Sequence, residues 1–123
     1  MKISGISPYL VAAMIVITAA NFGLSQSLGA HPFWSVNVAW LGVPLGLLIA
    51  FLFRTRRWLL RIGVFAVLLA AAGLTAHWGR LGFAASFAED KLAGQFWYFG
   101  WIAVAAFATA LITAILTPRI SNA

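Results

Sequence analysis

The chain contains no cysteine. Disulfides, thiolate metal sites, cysteine nucleophiles and palmitoylation are therefore excluded. Acid is almost as scarce, because Glu89 and Asp90 are the only acidic residues among 123. Neither stands inside an apolar run, so no carboxylate is placed to couple to proton or sodium movement. No HExxH, phosphate loop or Ser-His-Asp arrangement is present. The residues point to neither an enzyme nor a metal site. Charge as a whole is thin: 8% of residues are charged, against about 25% in soluble domains.

What fills the chain is apolar. Hydrophobic residues make up 63%, and the mean hydropathy is +0.99. One small core does not bury that much apolar surface, so lipid is the expected cover. The charged residues divide the sequence. Lys2 precedes a first apolar run; Arg54, Arg56, Arg57 and Arg61 separate the second from the third; Arg80, Glu89, Asp90 and Lys91 separate the third from the fourth; Arg119 follows. A charge at the bilayer centre costs at least about 2.5 kcal/mol, so the partition predicts four membrane spans. The expectation is an all-α integral membrane protein, a single domain over 1–123, with spans at about 9–28, 36–53, 62–78 and 96–117. The opening stretch resembles a secretory leader ending in Thr18-Ala19-Ala20, but its apolar run continues to Leu28, so it is read as a first span.

Lys and Arg placement sets the expected orientation. Four spans put Lys2, the 54–61 loop and Arg119 on one side, which holds six of the eight basic residues. Both termini are expected in the cytoplasm of a bacterial-type inner membrane. Arg54, Arg56, Arg57 and Arg61 are then placed to meet anionic headgroups, each contact worth about 1 kcal/mol. They cap helix ends and form no stripe, so the net charge of +6 does not indicate nucleic acid. On the outer side, apolar residues at spacings of three and four predict a short amphipathic interface helix over about 83–92.

Several residues are candidates for function. The aromatic residues crowd the outer boundary, among them Phe33, Trp34, Trp78, Phe83, Trp97 and Trp101. Rings anchor at headgroup level on both sides, and an excess on one side suggests a pocket or docking surface. His31 and His77 lie on that side, and neutral imidazole ligates haem or hydrogen-bonds a quinone. A haem or quinone site would draw on His31, His77, Trp34, Trp78 and Trp101. Thr18, Asn21 and Ser25 share a face of the first span; Thr109, Thr113 and Thr117 share a face of the fourth. Such faces act as packing glue or line a polar path. In the second span, Gly42 and Gly46 flank Pro44 and form a GxxxG patch for close helix contact.

In length and span number the chain resembles small four-span families such as the small multidrug exporters, whose first-span glutamate has no counterpart here. With little chemistry and several packing faces, the expected role is binding: an accessory, anchor or scaffold subunit. Its partners would be the bilayer and other membrane subunits, or a second copy. The alternatives are a quinone- or haem-binding redox anchor using His31 and His77, and a small dimeric transporter or lipid flippase with Asn21 on its path.

Overall fold

The structure, a computed structural model, describes residues 6–30, 35–87 and 89–117, with Ser25 described by its backbone only. The described residues are all-helical. Five helices follow in order: α1 Ser7–Asn21, α2 Leu24–Leu28, α3 Asn37–Leu52, α4 Trp58–Ala85 and α5 Lys91–Leu116. Two of them, α4 and α5, are long and apolar enough to cross a membrane, with mean hydropathies of 2.1 and 2.2 over their apolar windows. At 1.5 Å per residue they reach about 42 and 39 Å. The apolar helices α1 and α3 are shorter, 15 and 16 residues.

Helix α5 is the axis of the bundle. It packs against α4, α3 and α1, whereas α4 makes close backbone contact with α5 alone. The first turn of α1, the α3–α4 turn and the end of α5 lie together, and this is called the 54–57 end. There Tyr9, Ala50, Phe65 and Ala114 pack into one cluster. Phe65 is fully buried and packs edge-to-face with Phe53, centroids 5.7 Å apart. The opposite end holds Gly29, Ser35 and the α4–α5 turn, and is called the Trp97 end. Neighbouring contacts run in register along α3 and α5, making them parallel, while α4 runs antiparallel to both.

Local chemistry sets the helix ends. Pro8 sits in the first turn of α1, where its missing N–H costs nothing. Phe22 and Gly23 end α1: their amides bond the carbonyls of Thr18 and Ala20, and Gly23 has φ +92°, a backbone region favouring glycine. The first span expected over 9–28 is therefore broken into α1 and α2. The second is close to expectation, and α3 runs through Pro44 without interruption.

The amphipathic helix expected over 83–92 is corrected. Phe83 to Ala85 belong to α4, and Lys91 and Leu92 open α5. Between them the Ser86 hydroxyl donates to the Phe83 carbonyl at 3.0 Å and accepts from the Asp90 amide at 2.9 Å. The Asp90 carboxylate then accepts from the Ala93 amide at 3.0 Å, the N-cap of α5. A turn held by three side-chain hydrogen bonds outcompetes a helix that would bury little.

Candidate functional site

Small residues on both partners bring the helices close. On α3, a Cβ at Gly42 would stand 2.6 Å from the Ile102 carbonyl oxygen, and one at Gly46 would run into Ala106 and Thr109 of α5. On the other side of α5, Gly79 lies against Trp97 and Ala93, and Gly100 against Ala76, where a Cβ would come within 2.8 Å of backbone. Any larger residue at these four positions would hold the helices apart. The GxxxG pair thus faces α5 of its own chain.

The threonines of α5 lie in the same contact. Thr109 and Thr113 are 0% and 2% exposed. Their hydroxyls do not reach across: Thr109 Oγ1 donates to Ala105 O at 2.7 Å and Thr113 Oγ1 to Thr109 O at 2.8 Å, both within α5. Bonding to the i−4 carbonyl lets a hydroxyl lie in an apolar contact without an unmet donor. Asn21 is exposed, and its Nδ2 donates to Ile17 O at 2.9 Å. The structure places it at the end of α1, away from the α3–α5 contact.

Two tryptophans tie the bundle at its ends. Trp58 Nε1 donates to Ala114 O at 2.9 Å, and Trp97 Nε1 to Gly29 O at 3.0 Å. Trp97 also packs on Phe83, centroids 5.6 Å apart.

The arginines diverge. Arg54, Arg56 and Arg57 are exposed. Arg54 bends back, with Nη1 2.8 Å from Phe51 O and its guanidinium 3.9 Å from the Phe51 ring centre. Arg61, expected at the headgroups, is 5% exposed, and its Nε donates to Arg56 O at 3.1 Å. It braces the α3–α4 turn because the first turn of α4 points that face at the bundle.

Of the residues proposed for haem or quinone, the described ones, His77, Trp78 and Trp101, do not line one site. His31 and Trp34 lie outside the described residues. His77 and Trp78 are on exposed parts of α4. Trp101 lines a groove of about 330 Å³ between α1 and α4, floored by α5. Neither His77 nor Trp78 is part of its lining. Among the described residues no three of His, Cys, Asp and Glu are grouped as metal ligands.

The chain matches no known family model, no curated protein and no solved structure.

One surface escaped the reading of the sequence. On the face of α4 turned away from α5, Gly63, Ala66, Val67 and Ala70 are exposed, at i, i+3, i+4 and i+7. A Cβ at Gly63 would meet nothing within 4 Å. Leu59, Leu60, Gly63 and Val67 line a shallow depression there. The signal was a small-residue period of three and four, hidden by the similar composition of the inward face.

Proposed function

We propose that this is a four-span integral membrane protein of a bacterial-type inner membrane, with both termini cytoplasmic, that works as an accessory or anchor subunit. One observation carries the reading: α4 is strongly apolar yet only 22% of its apolar window is buried. The core helix of a soluble protein is mostly buried, so lipid or another protein covers this surface. Spanning also suits the bundle's two ends, where the charged side chains among the described residues collect. In this reading α1 with α2, and α3 with its flanking turns, supply the two remaining crossings.

Within lipid, apolar exposure alone does not select a partner, but small residues do, because they let another backbone approach. Gly63, Ala66 and Ala70 offer such a face, and the partner is a transmembrane helix of another subunit. The GxxxG pair supports this assignment indirectly, since Gly42 and Gly46 are already occupied by α5.

The test is native electrophoresis of mildly solubilised membranes. The chain is expected in a complex larger than itself, and Ala66→Leu with Ala70→Leu is expected to release it as a folded single chain. Migration of the native protein as a single chain would overturn the reading.

A further inference from the structure

The groove between α1 and α4 differs from the exposed α4 face in shape, volume and charge. It is almost wholly apolar, with Ile15, Leu28, Leu69, Trp101 and Ile112 among its walls. From Trp101 to Ile112 it follows α5 for about 16 Å. An open, apolar groove of about 330 Å³ over that length suits one flexible chain.

A cation stands near one end of the groove. Arg80 lies eleven residues from Leu69, three turns along the same face of α4. Its side chain reaches over Gly29, whose Cβ position is 3.6 Å from the Arg80 Cδ. Gly29 follows Leu28, a wall residue, and accepts the Trp97 indole hydrogen bond. Arg80 is exposed as a residue and makes no ion pair with any described residue. Asp90, near in the chain, caps α5 through Oδ1, which accepts the Ala93 amide. An apolar channel with an exposed cation near one end matches a molecule with a long hydrocarbon chain and an anionic head.

We propose that this groove holds one acyl chain of an anionic phospholipid, with Arg80 on the phosphate. The proposal rests on the membrane reading, and its failure is separable from the failure of that reading. The full chain is reconstituted in vesicles of equimolar phosphatidylcholine and phosphatidylglycerol, re-extracted in mild detergent, and weighed intact by native mass spectrometry. The expected result is one retained lipid per chain, with phosphatidylglycerol enriched about five-fold, the effect of one basic contact near the surface. Arg80→Gln is expected to abolish the enrichment, and Ala108→Phe, which fills the groove, to abolish retention. Circular dichroism checks that both variants keep their helices.

No retained lipid, equal retention of both headgroups, or unchanged enrichment in Arg80→Gln would overturn the proposal. So would a native extract in which the retained molecule is a neutral quinone or a polyisoprenyl phosphate. A chain recovered in the aqueous fraction without detergent would instead refute the membrane reading.

Discussion

The indole N–H of Trp58 donates to the carbonyl of Ala114 across 2.9 Å, joining the first turn of α4 to the last turn of α5. Trp97 repeats the device at the other end, on Gly29. Each bond lands near a helix end or turn and ties one element to another; Ala114 O also accepts the Thr117 amide at 3.2 Å.

Replacing Trp58 by Phe keeps most of the ring and deletes the donor. The expected cost is about 0.5–1.5 kcal/mol, read as a lower melting temperature of the detergent-solubilised protein. Trp97→Phe is expected to cost a similar amount and to loosen the 22–30 segment, seen as faster amide exchange there.

Glycines 46 and 63 predict opposite outcomes for one substitution. Gly46→Val drives methyl groups into Ala106 and Thr109, for an expected loss of about 1–3 kcal/mol or more. Gly63→Val meets open space, so the isolated chain keeps its stability within the small helix-propensity difference. Thermal denaturation of the two variants side by side checks this. Equal destabilisation would contradict the assignment of the two faces.

The buried threonine at 109 bonds only its own helix. Thr109→Val keeps the shape and leaves the Ala105 carbonyl its helical amide, so a change below about 1 kcal/mol is expected. Thr109→Leu, pressed toward Gly46, is expected to cost about 1–3 kcal/mol. Denaturant titration of both variants separates a packing role from a hydrogen-bonding one.

The division of charge was open to view in the sequence, because a charge is costly in an apolar layer whatever the fold around it. The breaks were less visible. Thr18, Asn21 and Ser25 share a face only on an uninterrupted helix, and Gly23 interrupts it. The period of three and four around 83–92 continued across a helix junction, because the last turn of α4 and the first of α5 are each apolar on one side. Ser86 and Asp90 carried the turn signal, as short side chains that bond nearby backbone. Which of two small-residue faces on α4 meets α5 was not legible, since Ala72, Ala76 and Gly79 differ little in kind from Gly63, Ala66 and Ala70. Only the position of α5 distinguishes them.

Absence of native cysteine makes topology simple to measure. Single cysteines at Thr55 and Glu89 are expected to react with a membrane-impermeant maleimide from opposite sides, Glu89→Cys in intact cells and Thr55→Cys after permeabilisation. Labelling of both in intact cells would contradict the proposed four-span arrangement.

The central claim is that the free face of α4 binds another membrane subunit. Photo-crosslinking amino acids placed one at a time at positions 59, 63, 66, 67, 70 and 74, in native membranes, test it most directly. The account predicts a crosslinked species of one defined mass, strongest at 63, 66 and 70, and none from position 51 on the exposed side of α3. Crosslinking to lipid alone at every α4 position, or equal yields from α3 and α4, would contradict it.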